Sequence, residues 1–295
     1  MKSAHLLIAT LTLIACNAYA SDADTLSRIK SSGAITLGYQ ETAVPFSYLG
    51  DNAAPTGFTW EICQKIVGSV KKTVGRNDIA IKSQPVTGQN RIPLLVNGTI
   101  DLQCGSTTNN KERAKQVAFA TNTFYTGTRF LVKSGAGIGS IADLKGKTVV
   151  STVGSSNLLV LRRVNKERNL GMEIIAAKDN AEAMLLVQSG QAAAFGMDDI
   201  LLYGQRAGSR NPGDYAIIGD AIQVEPFAIM LRRDDPEFKK LVDDTISGLM
   251  KSGEFDAMYK KWFETPIPPK GITLNVPMSQ PLRDNMKTLS DKPAL

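Results

Sequence analysis

Apolar residues recur with two different spacings along this chain. Between residues 58 and 74 they fall three or four positions apart, the spacing of one α-helix face; they are Ile62, Ile66, Val67, Val70 and Val74. Residues 79–86 instead show the alternation of a strand. Helix and strand patterns follow one another through most of the chain, so the sequence predicts β–α units and a mostly parallel α/β sheet.

Two series of such units follow one another. Predicted helices occupy residues 27–31, 58–74, 91–96, 156–168, 181–188, 198–206, 236–250 and 255–263. Predicted strands occupy residues 35–39, 79–86, 100–104, 124–133, 147–152, 172–176, 192–196, 215–218 and 224–231. The glycines at positions 33 and 98 are plausible helix stops.

The strands at 124–133 and 224–231 flank the second series. If both cross between sheets, one lobe is discontinuous and the other is inserted within it, with a cleft and a hinge between them. We therefore predict lobe 1 at residues 21–126 and 224–264, and lobe 2 at residues 127–223. The two-lobed α/β architecture is an expectation, because alternation alone does not prove it.

The N-terminus has the pattern of an export signal. Residues 6–15 are mainly apolar but too few to span a bilayer, and Ala18-Tyr19-Ala20 is an A-x-A cleavage site. Residues 1–20 are therefore predicted to be a signal peptide. A competing interpretation is a lipoprotein box at residues 13–16, which would leave Cys16 as a lipidated N-terminus.

The other end of the chain is rich in proline. Residues 265–295 hold six of the thirteen prolines, so we predict an extended tail packed on the surface.

Composition excludes several function classes. The 295 residues are 43% hydrophobic and 21% charged, which suits one or two globular domains. The formal net charge is +6 without a long basic block, so nucleic-acid binding is not predicted. The single histidine, His5, lies in the predicted signal peptide. A mature chain without histidine has no Ser-His-Asp triad, no Cys-His dyad and no zinc site that needs imidazole.

Plain cleavage leaves two cysteines, Cys63 and Cys104. In an oxidising compartment they can form a disulfide. The alternative is two separate buried thiols. The sequence leaves both open, since it does not show how far apart the Cα atoms lie.

The segment 104–113 carries the most informative chemistry. A strand ends, a loop of small residues follows and a helix starts, and Asn109 begins a capping pattern. An ordinary helix cap is therefore one interpretation. The other is a carboxylate site, because Ser106 and Thr108 offer hydroxyls near free helix N–H groups. Arg113, one turn into the helix, can form a bidentate pair with a carboxylate.

Two more loops follow predicted strands. Residues 149–157 form either an ordinary Ser-capped turn or a second set of donors that faces the first. At residues 195–200 two adjacent acids end an apolar strand. We predict that Asp199 caps the helix and that Asp198 pairs with a ligand ammonium, although the reverse assignment stays open.

Enzyme motifs are absent from the sequence: it contains no G-x-S-x-G, P-loop, HExxH or CxxC. No cofactor and no metal site is predicted.

Several runs, some of them five or more residues long, resemble the periplasmic glutamate/aspartate-binding proteins of bacterial ABC importers, in the polar amino-acid class of solute-binding proteins. They lie at residues 44–48, 89–95, 97–99, 104–110, 143–147, 197–199, 261–263 and 266–270. The similarity extends from Leu26 to about Met286. It implies two α/β lobes that are joined by two strands and close on a ligand.

The resemblance also implies roles for single residues. Ser106, Thr108 and Arg113 match the positions that hold the ligand's α-carboxylate. Thr152 matches a donor from the second lobe. An acid of the 198–199 pair matches the partner of the α-ammonium.

The side-chain end of the site departs from the family pattern. There, two arginines, a serine and a histidine surround the side-chain carboxylate, and only Arg91 is kept. Gln40 replaces the other arginine, Gly88 the serine and Asn180 the histidine. A buried carboxylate needs charge or several donors. Glutamate or aspartate therefore stays open beside glutamine, asparagine or another polar amino acid.

The sequence thus predicts a periplasmic, monomeric solute-binding protein without a cofactor. By hinge closure it would capture an L-amino acid and deliver it to an ABC permease. One alternative is a small-molecule enzyme, such as a dehydratase, on the same scaffold. Another is a sensor whose closed form docks on a chemoreceptor.

Overall fold

The structure, a computed structural model, describes residues 24–294. The predicted signal peptide at residues 1–20 and the alternative lipidation site at Cys16 lie outside the described residues. Across residues 24–294, no helix combines the length and the apolar character needed to cross a membrane.

The described residues form ten α-helices. They are α1 (Thr25–Ser32), α2 (Phe58–Val74), α3 (Arg91–Val96), α4 (Lys111–Ala114), α5 (Ser156–Glu167), α6 (Asn180–Gln188), α7 (Asp199–Gly208), α8 (Pro236–Ser252), α9 (Glu254–Phe263) and α10 (Gln280–Thr288). Most lie within two or three residues of the positions that the apolar spacing predicts.

The same residues form fourteen strands. They are β1 (Ala34–Tyr39), β2 (Thr42–Ala43), β3 (Ser47–Leu49), β4 (Pro55–Thr56), β5 (Ala80–Pro85), β6 (Leu102–Gln103), β7 (Ala118–Phe119), β8 (Phe124–Lys133), β9 (Thr148–Thr152), β10 (Glu173–Ala177), β11 (Ala194–Asp198), β12 (Tyr215–Ile218), β13 (Val224–Phe227) and β14 (Met230–Leu231).

Two main sheets, each flanked by helices, build two lobes. The first has the order β5-β1-β6-β14-β7 and the second the order β10-β9-β11-β8-β12. Strands joined by β–α units pair in parallel, as β1 does with β5 and β6, and β9 with β10 and β11. Antiparallel pairs come from β14 and β8, so each sheet is mixed. The periodicity predicts the strands, but not this reversal.

Strands β8 and β13 connect the lobes. They pair with each other in antiparallel fashion, from Phe124 opposite Phe227 to Gly127 opposite Val224. From Thr128 onward, β8 pairs with β11 and β12 of the second sheet. After β13 the chain enters the first sheet through β14. The lobe boundaries given above stay a prediction, which this change of partner within β8 supports.

Aromatic side chains hold these connecting strands against the first lobe. The ring of Phe46 lies edge-to-face with Phe124 and Phe227, at centroid distances of 4.9 and 5.2 Å. Phe263 of α9 stacks on Phe124 at 5.0 Å. All four rings are buried. Because aromatic pairs add to the free energy that burial itself supplies, the strands leave the first lobe from a rigid base.

Helix α2 is also linked covalently to the first sheet. Its buried face includes Ile62, Cys63 and Ile66, and the helix ends at Gly75 in the left-handed conformation. Cys63 forms a disulfide with Cys104, just beyond β6, with the Cα atoms 6.2 Å apart. The structure thus decides between the two alternatives that the sequence left open.

The C-terminal segment contains a helix, so the prediction of a wholly extended tail is wrong. Ser279 accepts a hydrogen bond from the Leu282 N–H and thereby caps α10. Pro281 lies in the first turn, where proline is tolerated because its missing N–H has no intrahelical acceptor. Leu282 and Asn285 are buried. The high proline content obscured this helix start.

Candidate ligand-binding site

The nine predicted site residues line one cavity of about 150 Å³ between the lobes. Both lobes contribute residues to it. They are Gln40, Gly88, Arg91, Ser106, Thr108, Arg113, Thr152, Asn180 and Asp198. The roles of these residues toward a ligand stay predictions, since the structure shows their placement and not a ligand.

The loop after β6 carries the predicted carboxylate donors. Asn110, not Asn109, caps the short helix α4, because its Oδ1 accepts from the Arg113 N–H at 3.0 Å. The capping pattern predicted at Asn109 is therefore shifted by one residue. Thr108 forms an isolated bridge with Phe227 at the end of β13. The loop is thus fixed against a connecting strand.

Arg113 is buried at the centre of the site. Its Nη1 donates to Thr108 O at 2.8 Å and its Nη2 to Gly154 O of the other lobe at 3.0 Å. Burial lowers the pKa of Arg113, whereas the carboxylates of Glu225 and Asp198 oppose that shift. The guanidinium is therefore a desolvated cation, a state that strengthens its attraction for an anion.

Arg91 lies close to Arg113, and the pKa of Arg91 is lowered more strongly. Desolvation lowers the pKa of Arg91 well below its ordinary value, the charge of Arg113 lowers it further, and Asp198 opposes both. Its Nη2 reaches Gly154 O at 3.3 Å. Its buried Nε has no hydrogen-bond acceptor among the described residues. Two buried cations side by side favour an anionic group between them.

The second lobe supplies hydroxyls from the turn between β9 and α5. Ser155 Oγ accepts from the Leu158 N–H and caps α5, so the simpler interpretation of this turn is correct for Ser155. Ser156 Oγ lies 3.0 Å from Thr108 Oγ1 across the cleft. Thr152 and Ser156 line the cavity. The same turn therefore serves both as a helix cap and as a face of the site.

Asp198, the acid predicted to pair with a ligand ammonium, lines the cavity together with Glu41 and Asp179, and of these three acids it alone is buried. It is buried, and burial followed by the nearby charge of Glu225 raises its pKa to about 7. Asn157 Nδ2 donates to its Oδ1 at 3.3 Å and works against that shift. The prediction that Asp199 caps α7 is wrong. Asp198 holds the cap position without a side-chain cap bond, and Asp199 accepts from Thr126 Oγ1 at 2.7 Å.

The remaining predicted residues line the same cavity. Gln40 Oε1 accepts from the Ser106 N–H at 2.8 Å and faces Ser106 Oγ at 3.2 Å. Asn180, at the first position of α6, donates through Nδ2 to Thr42 O at 3.3 Å. Both are amides in an enclosed space that also contains Arg91. This part of the cavity can donate and accept hydrogen bonds.

The lobes touch directly at the cavity rim. A Cβ atom on Gly88 would lie 2.3 Å from Val153 O, and one on Gly154 would lie 2.4 Å from the Gly88 carbonyl. A Cβ atom on Gly204 of α7 would lie 2.5 Å from Val44 O. Gly88 is thus placed at the rim by backbone contact. Only glycine lets these backbones approach so closely.

Several polar residues around the site are not among the nine predicted ones; they include the charged Glu41, Lys178 and Asp179, which also line the cavity. Ser156 and Asn157 are two others, and they lie within the segment 149–157, for which a set of donors facing the cleft was one of two interpretations. Their position in the first turn of α5 was therefore an available signal. Another such residue is Glu225. It is buried on connecting strand β13, and the described residues place no hydrogen-bond donor on its Oε2. Nothing in the local sequence distinguishes it from a surface acid.

Metal binding has no support within residues 24–294. No group of three or more His, Cys, Asp or Glu side chains there is arranged to hold a metal ion.

Known proteins share both the sequence and the fold. The family model of bacterial extracellular solute-binding proteins, family 3, matches residues 35–265. A glutamate/aspartate import solute-binding protein of Salmonella typhimurium is 45% identical over 268 residues, which cover 91% of this chain and 89% of the relative. An L-glutamate/L-aspartate-binding protein of Pseudomonas aeruginosa is 45% identical over 271 residues, which cover 92% of this chain and 90% of the relative.

Solved structures agree with the two-lobed architecture. An ancestral arginine-binding protein bound to arginine superposes with a TM-score of 0.70 at 27% identity, covering 78% of this chain and 98% of that one. A periplasmic binding protein from Brucella ovis with glutathione bound gives 0.72 at 26% identity, covering 79% of this chain and 73% of that one. This chain belongs to family 3 of the bacterial extracellular solute-binding proteins.

Proposed function

We propose that this protein captures an L-amino acid of the glutamate and aspartate class between its lobes and delivers it to an ABC permease. The observation that carries the proposal is a cavity of about 150 Å³ lined by two buried arginines and one buried carboxylate. This charge set complements an amino acid with a second anionic group. Relatives with 45% identity are named for import or binding of glutamate and aspartate.

The α-carboxylate and α-ammonium of a ligand would occupy opposite parts of this cavity. Arg113 supplies a fork of N–H donors, and Ser106 and Thr108, in the loop before its helix, add hydroxyls. Thr152 adds a hydroxyl from the second lobe. Asp198 is the acid that would accept hydrogen bonds from the ammonium. A zwitterion is held because each of its charges meets a buried charge of opposite sign.

The ligand side chain would extend toward Arg91, Gln40 and Asn180. Arg91 supplies a positive charge with an unused Nε, which suits a carboxylate. Gln40 accepts through Oε1, which leaves its amide N–H groups to donate. These donors together favour glutamate or aspartate.

A second candidate ligand class is glutamine or asparagine. Asn180 donates through Nδ2 to Thr42 O, which orients its Oδ1 as an acceptor. A ligand carboxamide can donate to that oxygen, whereas a carboxylate cannot. The positive charge of Arg91 favours a ligand carboxylate, and the Asn180 acceptor favours a ligand carboxamide. The balance between them decides which class binds more tightly.

We propose a binding role and no catalytic one, since the relatives named above are binding proteins. The buried acid of the site, Asp198, is assigned above to the α-ammonium of the ligand. We propose that the protein works in the periplasm as a monomer after cleavage of residues 1–20. Its closed form can also dock on a chemoreceptor, which changes the partner and not the ligand chemistry.

Calorimetric titration of ligand-free protein from Ser21 onward, with each of the twenty amino acids, tests the proposal. We expect a Kd below about 1 mM for at least one of glutamate, aspartate, glutamine or asparagine. The ligand should be recovered unchanged after long incubation. If no amino acid binds below that limit, the proposal is wrong. If the ligand is chemically converted, the dehydratase-like alternative replaces it.

A further inference from the structure

The loop with the predicted carboxylate donors is held from two sides. On one side lie the end of β13 and the residue after it: the Asn109 N–H donates to Pro226 O at 2.8 Å, and the Ala228 N–H donates to Thr107 O at 3.0 Å. This contact belongs to the connecting strands already described. The other side is held by a part of the chain nearly two hundred residues away.

That part is the terminal segment, which we define as residues 291–294. The Ala294 N–H donates to Asn109 O at 2.9 Å, and Ala294 forms a parallel bridge with Asn110. Asn109 Nδ2 donates to Asp291 O at 2.8 Å. The loop backbone is thus the middle of three hydrogen-bonded segments, with the terminal segment at one edge.

A second asparagine extends this network. Asn122 Nδ2 donates to Lys292 O at 3.0 Å, and its Oδ1 accepts from Asn109 Nδ2 at 2.9 Å. Asn109 and Asn122 are each only 1% exposed. Buried amides without partners would cost free energy, so the terminal segment satisfies groups that would otherwise be unpaired. Asn122 lies two residues before connecting strand β8.

The terminal segment contributes main-chain oxygen and nitrogen rather than apolar packing. Asp291 and Lys292 are exposed, and Ala294 is only partly buried. Its one ion pair within the described residues joins Asp291 to Lys239 at 2.8 Å. Removal of these residues therefore takes little apolar surface from the core.

The position of the network in the chain connects it to the site. Asn109 lies directly between Thr108, a predicted ligand donor, and Asn110, which caps the helix that carries Arg113. Arg113 in turn donates to Thr108 O. A shift of the Asn109 backbone would move both donors together.

We propose that the terminal segment is a positioning element of the ligand site, which holds Thr108 and Arg113 in their binding geometry through Asn109 and Asn122. The inference rests on the proposed amino-acid binding function. Pre-organised donors bind more tightly because ligand binding then does not have to order them. Loss of the segment should thus lower the affinity for every α-amino acid by a common factor.

The test compares the wild-type chain with a chain that ends at Ser290. This truncation keeps α10, Leu289 and the Asn122 N–H bond to Ser290 O. We expect the Kd for glutamate and for glutamine to rise by the same factor, about tenfold. Hydrogen exchange at the amides of residues 108–113 should accelerate, while the circular dichroism changes little.

Two point variants sharpen the comparison. Asn122→Asp keeps the acceptor for Asn109 and removes the donor to Lys292 O, so it should weaken both ligands in the same direction. Lys292→Ala is the matched control, because it keeps the main-chain oxygen and should bind as the wild type does. Asn122→Asp also provides the result if the truncated chain does not fold.

Unchanged affinity and hydrogen exchange in the truncated chain would overturn the positioning role. If the truncated chain does not fold, the same result in Asn122→Asp would overturn it. So would a loss confined to one ligand. If the wild-type chain itself binds no amino acid, the proposed function fails, and the ligand role of the segment fails with it. The two failures are distinguished by the wild-type titration alone.

Discussion

Two buried arginines meet at the cavity, yet their surroundings assign them different tasks. Arg113 is tied to the loop that it supports, through Thr108 O. Arg91 has a buried Nε without an acceptor among the described residues and lies in the cavity with Gln40 and Asn180. The first fits the constant part of an amino acid and the second its variable part.

We predict that Arg113→Ala weakens every amino-acid ligand by roughly tenfold to a hundredfold, the range for one lost charged hydrogen bond. Arg91→Ala should instead weaken glutamate and aspartate more than glutamine and asparagine. Titration calorimetry with all four ligands measures both effects. Equal losses for acidic and neutral ligands in Arg91→Ala would contradict this division of the site.

Because of Asp198, we expect the stability of the ligand-free protein and the affinity for ligand to depend on pH in opposite directions. The pKa of Asp198 is raised to about 7 on folding, mainly by burial and by the charge of Glu225. Between pH about 4 and 7 the folded protein therefore holds a proton that the unfolded chain releases. The Asp198 contribution to the free energy of unfolding of the ligand-free protein then falls as pH rises through this window and is constant above it.

Ligand binding should change in the other direction. The ammonium of the ligand pairs with ionised Asp198, so we predict that affinity for glutamine rises from pH about 5 to 7 and then levels off. Asp198→Asn should bind more weakly and show a nearly flat profile. Titrations of both proteins across this range measure the difference. A wild-type profile as flat as that of the variant would exclude Asp198 as the ammonium partner.

At the residue scale, the nine site residues were predicted from loop patterns and from the family resemblance, and all nine line the cavity, while their roles toward a ligand stay predictions. The sequence assigned two caps wrongly, at Asn109 and Asp199, because neighbouring residues of similar type satisfy the same local pattern. Which neighbour caps depends on contacts with distant segments. Asn109 is held by residues 291–294 and Asp199 by Thr126. Local spacing contains no information on such partners.

Close backbone approach between the two lobes depends on glycine in the loops and helices of the rim. A Cβ atom on Gly88 would lie 2.3 Å from Val153 O of the opposite lobe, which is closer than nonbonded atoms approach. The clash exists only when the lobes are together.

We predict that Gly88→Ala opposes closure, so that the affinity for all ligands falls while the Tm of the ligand-free protein changes little. Titration calorimetry and thermal unfolding together measure this separation. Gly68→Ala in α2 is the control, because a Cβ atom there meets no heavy atom within 4 Å. Wild-type affinity in Gly88→Ala would show that the rim is less tightly closed in solution.

The disulfide between Cys63 and Cys104 connects helix α2 to the end of β6, two residues before Ser106. It closes a loop across a sequence separation of 41 residues. A cross-link of this span reduces the freedom of the unfolded chain and typically stabilises by about 2–4 kcal/mol.

We predict that the double variant Cys63→Ser, Cys104→Ser lowers the free energy of unfolding by about that amount, measured by chemical denaturation. A reducing agent should destabilise the wild type to a similar extent and leave the double variant unaffected. Equal stability with and without reductant in the wild type would show that the bond contributes little.

At the element scale, most helices and strands could be predicted because each has an amphipathic period or a glycine stop. Helix α2 was predicted with its observed bounds. Helix α10 was missed because its start lies in a proline-rich segment. The disulfide could not be decided, since it depends on the distance between two elements and not on either one.

The whole molecule is closed by polar contacts between the lobes as well as by backbone contact. Arg91 and Arg113 of the first lobe both donate to Gly154 O of the second. Gln205 of α7 donates to Thr42 O at 3.0 Å. A ligand that binds both lobes shifts the open–closed equilibrium only by its extra affinity for the closed form. These direct contacts reduce the shift that the ligand must supply.

At this scale the sequence predicted two lobes from two strands that flank an inserted series of β–α units. It did not predict that each sheet is half antiparallel, because periodicity shows whether a strand is buried and not which neighbour it pairs with. Strand β14 pairs with both β6 and β7, which come more than one hundred residues earlier in the chain. Such pairing is decided by the whole fold.

The place of β14 between β6 and β7 also sets an order for synthesis. When the chain emerges N-terminus first, strands β8 to β12 of the second sheet are available before residues 230–231, which form β14. Until then the first sheet lacks the strand that joins β6 to the edge strand β7. The inserted lobe can therefore acquire its structure while the chain is still emerging N-terminus first, whereas the lobe that begins first is completed later, when β14 is present.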